Sequence, residues 1–290
     1  MSLSRTILLV ASVLVVLSHI SVAEQPAGKI KIFVSILPQA YFVDRVGGAN
    51  VDMGVLVGPG QSPATYEPTP KQMAKLAQSQ IYFRIGVPFE NVMVDRISTT
   101  FKNLTIVDTR KGVKLLFFKE SHAHGSGAPD PHIWLDPKRV KIQASTICDT
   151  LIRIDPTHAS YYINNLRAFH ADLDMVDANI AKMLTPLKGK EFFVFHPSFG
   201  YFADAYALKQ IALETEGKEP RAKQLASMID RAKRYGVKVI FVQPQFSTKT
   251  AESIASAIGG TVIPLDPLAR DFLKNIEDIA IKIRKSQSGQ

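Results

Sequence analysis

HASYYINNLRAFHADLDMVDANIAKML, residues 158–184, contains neither proline nor glycine. Its apolar residues Tyr162, Ile163, Leu166, Phe169, Leu173, Val176, Ile180 and Leu184 return at helical spacing, the stripe of one amphipathic helix. A helix over 158–184 is roughly 40 Å long at about 1.5 Å per residue. That exceeds most globular helices, and a rod of this length is expected to be a strut between two lobes. His158 and His170 lie on it and read as surface or boundary histidines.

On each side of the strut, short apolar runs alternate with helical stretches. IKIFVSIL (30–37), VDMGVLV (51–57), IYFRIG (81–86) and LTIVDT (104–109) read as strands before it. Between them, PQAYFVDRVGG and TPKQMAKLAQS carry helical spacing with a proline near the start. After it come EFFVFH (191–196), QIALET (210–215), VKVIFVQ (237–243) and GTVIPLD (260–266). Helices are expected at 197–208, 220–235, 247–258 and 267–285. Strands separated by helices make βαβ units and a parallel sheet. The expected fold is therefore α/β: two lobes, each a mainly parallel sheet flanked by helices, joined by one long rigid helix. The expected divisions are 24–157, 158–185 and 186–290. No internal repeat is visible in the sequence.

The first 23 residues read as a cleavable leader. Arg5 supplies the charge, ILLVASVLVVL (7–17) the apolar stretch and SVA (21–23) the small-residue cleavage site. The apolar run is too short to span a bilayer comfortably, and no cysteine follows it to take a lipid. The expectation is an exported protein, with an N-terminal membrane anchor as the alternative. The chain carries 35 Lys and Arg against 26 Asp and Glu, a formal charge of +9. These basic residues are scattered singly, so they read as a solvated surface and no nucleic-acid partner is expected. The single cysteine, Cys148, falls on the apolar side of VKIQASTICDTLIRI (140–154) and reads as a buried, inert thiol.

Ligands of open parallel sheets bind beyond the carboxyl ends of the strands. EFFVFH ends in His196 before Pro197, TVIPLD in Asp266 before Pro267, and VKVIFVQ in Gln243 before Pro244. His132 sits in APDPHIWLDP (128–137), stiffened by three prolines and also holding Trp134 and Asp136. A histidine at a strand end is often only a hydrogen-bonded histidine. Here the grammar repeats as HP, DP and DPH. Two imidazoles and a carboxylate on rigid supports suit a divalent transition metal. The candidate ligands are His132, His196 and Asp266. A hydrolase is the weaker reading, since neither a G-x-S-x-G elbow nor an H-E-x-x-H helix is present.

These segments resemble a known family. VSILPQAYFVDRVGG (34–48), VGPGQSPATYEPTPKQM (57–73), DPHIWLDP (130–137), FHPSFGYFADAY (195–206), GKEPRAKQLASMID (217–230) and VIFVQPQFS followed by GGTVIPLDPL look like the zinc- and manganese-type solute-binding proteins of ABC transporters, the ZnuA- or TroA-like family. The resemblance implies two α/β lobes on one rigid helix, a bound divalent metal and delivery to an inner-membrane permease. It implies zinc first, with Mn2+ or Fe2+ open, and a periplasmic, monomeric, non-enzymatic protein. It carries over His132, His196 and Asp266 as ligands. The family's first histidine is replaced by Ala64, its preceding aspartate by Ser62, and a common glutamate by Gln243. The expectation at Ala64 is a water in the open position, steadied by Thr65 or Tyr66. His122 and His124 of SHAHGSGA (121–128) stand where the family has a histidine-rich loop. A non-transporting metal chaperone or adhesin-like relative is the alternative to the importer component.

Overall fold

The computed structural model describes residues 28–118, 127–213 and 221–288. The leader read at 1–23, His122 and His124, and the end of the strand read at 210–215 lie outside them. In the first lobe the strands are β1 (Ile30–Val34), β2 (Val51–Val55), β3 (Ile81–Arg84) and β4 (Thr105–Asp108). Its helices are α1 (Leu37–Gly47), α2 (Pro70–Ala77), α3 (Glu90–Thr100) and α4 (Pro137–Ile154). All strand pairs are parallel, in the order β2-β1-β3-β4. β1 and β3 are almost wholly buried, as central parallel strands covered on both faces must be.

Helix α3 has no counterpart among the expected elements. Its buried residues are Glu90, Met93 and Ile97. One of the three is charged, so no apolar stripe announces it. The other starts are locally encoded. Thr69 and Gln72 form a capping box at α2. Asp136 accepts from Lys138 N at 2.8 Å and caps α4, with Pro137 in its first turn. The acidic end of DPHIWLDP is thus a helix cap, and it also pairs with Arg139.

The strut is α5 (Ala159–Leu184), 26 residues long. It begins one residue later than expected because Pro156–His158 form a separate 3-10 turn. Its buried residues are Tyr162, Phe169, Leu173, Val176, Ile180 and Leu184, while Ile163 and Leu166 pack at the margin. His158 Nδ1 lies 2.7 Å from Asp155 Oδ2, and His170 Nε2 lies 3.2 Å from the Lys141 carbonyl. Both are helix-surface contacts, as expected.

The second lobe has strands β5 (Glu191–Val194), β6 (Lys209–Ala212), β7 (Val239–Val242) and β8 (Thr261–Pro264). Its helices are α6 (Gly200–Ala205), α7 (Ala222–Arg234), α8 (Thr248–Ile258) and α9 (Phe272–Ser288). The strands are again all parallel, in the order β6-β5-β7-β8. The two lobes therefore share one topology, a repeat the sequence does not show. They also share a core. Phe42 of α1 meets Phe169 of α5 at 6.0 Å and Phe272 of α9 at 5.2 Å between ring centroids. Among the described residues, no helix is long and apolar enough to cross a membrane. Cys148 is buried, and burial pushes its thiol up to about 11, so it stays a thiol.

Candidate metal centre

In each sheet the strand order reverses between the two central strands, at β1/β3 and at β5/β7. That is where an open α/β sheet binds ligands. In the first lobe this point is filled. The buried Glu90 carboxylate accepts from Ser35 Oγ at 2.5 Å, Ile85 N at 2.9 Å, Gly86 N at 2.6 Å and Arg84 Nε at 3.2 Å. Burial pushes its carboxyl up, against the pull of these donors. The first-lobe candidate, His132, comes from the loop beyond β4 instead.

That loop holds His132. Asp130 Oδ1 accepts from His132 N at 2.9 Å and lies 2.7 Å from His132 Nδ1. A carboxylate only accepts, so the ring proton belongs on Nδ1 and the Nε2 lone pair is left for a ligand. This is the usual way a protein orients a metal-binding imidazole. Asp130 is buried, and its other oxygen lies so close to Gly200 that a Cβ there would approach it to 2.6 Å. The Asp130 carbonyl accepts from Tyr201 Oη at 3.0 Å. The His132 loop is therefore seated on the start of α6 in the second lobe.

The second-lobe switch point carries His196, just beyond β5. The buried Gln243, just beyond β7, clamps its backbone in both directions. Gln243 Oε1 accepts from His196 N at 3.1 Å, and Gln243 Nε2 donates to the His196 carbonyl at 2.7 Å and to Ser198 Oγ at 3.0 Å. A glutamate in its place could not donate those bonds as a carboxylate. The His196 ring stacks on Phe246, centroids 4.9 Å apart.

The two imidazoles meet edge to face, with centroids 5.6 Å apart and planes at 72°. Zn–N bonds of about 2.0–2.1 Å place two imidazoles on one tetrahedral ion with centroids roughly 5 Å apart. The observed pair is within a small adjustment of that geometry. Both rings line a cavity of about 40 Å³ with Ala64, Gln243 and Gln245. That volume holds an ion and one or two waters. Ala64 faces the cavity as the resemblance implies. Thr65 and Tyr66 do not line it; Tyr66 packs edge-on against Phe89, centroids 4.9 Å apart.

Asp266 stands apart from this pair. Its Oδ1 accepts from Leu268 N and from Gln245 Nε2, both at 2.9 Å. Asp266 is not among the residues lining the cavity. Among the described residues, no three His, Cys, Asp or Glu side chains group around one point. The structure thus brings His132 and His196 together and leaves Asp266 turned toward Gln245. Trp134 is buried, and it does more than pack. Its Nε1 donates to the Pro267 carbonyl at 2.7 Å, joining the His132 loop to the Asp266 loop. Asp130 and Gln245 were missed as site residues. The D-x-H spacing could have exposed Asp130, because residue i accepts locally from i+2. Nothing local marks Gln245.

Comparison with known proteins bears on the family and the fold. A crystal structure of a ZnuA deletion mutant with zinc bound matches at a TM-score of 0.79 and 41% identity, covering 88% of this chain and 97% of that one. The high-affinity zinc uptake system protein ZnuA of Bacillus subtilis is 28% identical over 262 residues, covering 85% of this chain and 81% of that protein. The zinc-binding protein AdcA of Streptococcus pyogenes is 28% identical over 285 residues, which are 89% of this chain and 55% of AdcA. The chain thus spans about half the length of that relative. Residues 32–286 match the family described as zinc-uptake complex component A, periplasmic, and with two imidazoles converging between two like-folded lobes the chain belongs to this ZnuA family of metal-binding solute-binding proteins.

Proposed function

We propose that the chain is the exported zinc-capturing component of an ABC importer, working as a monomer in the periplasm and passing the ion to an inner-membrane permease. The observation that carries this reading is the His132–His196 pair, two imidazoles at near zinc-binding separation that line one cavity of about 40 Å³. His132 and His196 are the nitrogen ligands. Asp266 is the carboxylate ligand, through Oδ2, the oxygen not engaged by Leu268 and Gln245. Zinc fits better than manganese or ferrous iron, because two of these three donors are imidazole. The names of the ZnuA and AdcA relatives support the same ion.

The test is zinc titration of the full exported chain by calorimetry, in competition with a chelator. One zinc per chain is expected, with at least a tenfold weaker affinity in His196→Ala and in His132→Ala. Unchanged affinity in His196→Ala defeats the assignment.

A further inference from the structure

We propose that Gln245 is a further metal ligand, its Oε1 giving the ion a neutral oxygen where the family's first histidine is lost. The inference rests on the zinc reading above. Gln245 lines the same cavity as His132, His196 and Ala64. Its amide has one possible orientation. Nε2 lies 2.9 Å from Asp266 Oδ1, which also accepts from Leu268 N. A carboxylate cannot donate, so the amide nitrogen must face Asp266 and the oxygen must face away. That oxygen, Gln245 Oε1, is buried and accepts no hydrogen bond.

A buried acceptor without a partner is costly and calls for an explanation; of three such side-chain atoms among the described residues, Tyr66 Oη, Gln143 Oε1 and Gln245 Oε1, only the last belongs to a residue lining the cavity. The bond behind it adds to this. Donation from Nε2 to a carboxylate polarises the amide and raises electron density on Oε1. Across the cavity, position 64 offers only a methyl group. Counting outward from the ion, His132 and His196 give two nitrogens, Asp266 one oxygen and Gln245 the fourth donor. Four is the coordination number zinc prefers. An amide oxygen is harder than imidazole, so this exchange shifts the site toward manganese and iron compared with a three-histidine site.

The experiment measures zinc and manganese dissociation constants for the full exported chain, Gln245→Ala and His196→Ala, by competition with a chromophoric chelator. A crystal structure of the zinc-loaded unmodified chain accompanies it. Expected are a loss of at least tenfold in zinc affinity in Gln245→Ala, a relatively greater loss for manganese, and Oε1 about 2.0–2.3 Å from the zinc. Equal zinc affinity in Gln245→Ala, or Oε1 more than about 3 Å from the ion, overturns the inference. If Gln245→Ala does not fold, the crystal structure of the unmodified chain decides alone. If His196→Ala binds zinc as tightly as the unmodified chain, the zinc reading fails and the inference with it. If only Gln245→Ala is silent, the inference alone fails.

Discussion

A single methyl group at position 64 decides how much nitrogen the site can offer. Ala64 already lines the cavity, so Ala64→His sets a third imidazole at its wall. Imidazole is a better zinc donor than an amide oxygen. The expected result is at least a tenfold gain in zinc affinity, larger than any gain for manganese, measured by chelator competition. Gln243 makes the opposite point. It both accepts and donates at the backbone of His196. In Gln243→Glu the new carboxyl, when ionised, faces the His196 carbonyl without a proton to give. Burial and that carbonyl raise its pKa in the folded state above the unfolded value. The relative stability of the variant is therefore best below the unfolded pKa and is lost as pH rises through the folded one. Urea unfolding should show a deficit of about 2–3 kcal/mol at pH 8 that shrinks toward pH 5.

Among the elements, the loop between β4 and α4 works as a bracket. Asp136 ends it as the cap of α4, Asp130 turns the His132 ring, and Trp134 reaches the Pro267 carbonyl. The bracket sets the distance between the His132 loop and the Asp266 loop. Trp134→Phe keeps most of the packing and removes one buried donor. Leaving the Pro267 carbonyl without it should cost about 1–3 kcal/mol in urea unfolding. Zinc affinity should fall at the same time, since the two ligand loops are no longer tied. A stability loss without any affinity loss would confine Trp134 to packing.

The whole molecule is tied together by α5, which packs against α1, α4 and α9. Its buried face belongs to a hydrophobic cluster that runs from Ile30 to Ile283 through both lobes. A smaller cluster, around Phe195, Met228, Ile240 and Ile254, lies under α7 and α8. Because the larger core is shared, calorimetry should show one unfolding transition for both lobes, with calorimetric and van't Hoff enthalpies equal. Zinc bound between the lobes should stabilise that single unit. At a free zinc concentration about 1,000 times Kd the gain is about 4 kcal/mol, and a chelator should return the melting temperature to the metal-free value. Two transitions, with only one responding to zinc, would place the ion within one lobe.

The amino-acid sequence by itself determined the elements and the frame. The strut shows in the eight-residue apolar stripe from Tyr162 to Leu184, and the strands show in β-branched runs stopped by prolines. Two helix starts show in the prolines that open PQAYFVDRVGG and TPKQMAKLAQS. All of these are short-range facts: backbone period, capping and fixed φ act within a few residues. Helix α3 escaped because one of its three buried residues is the charged Glu90, whose partners Ser35, Arg84, Ile85 and Gly86 lie at the ends of two strands. Only the tertiary structure decided the rest. It set the common strand order of the two lobes, which depends on pairing between distant segments. It brought His132 to His196, 64 positions along the chain. It also turned Asp266 toward Gln245 and gave Gln245 its place in the cavity. Ligand types can be read along a chain, but their convergence depends on how two sheets and a helix pack, and side-chain direction is settled only there.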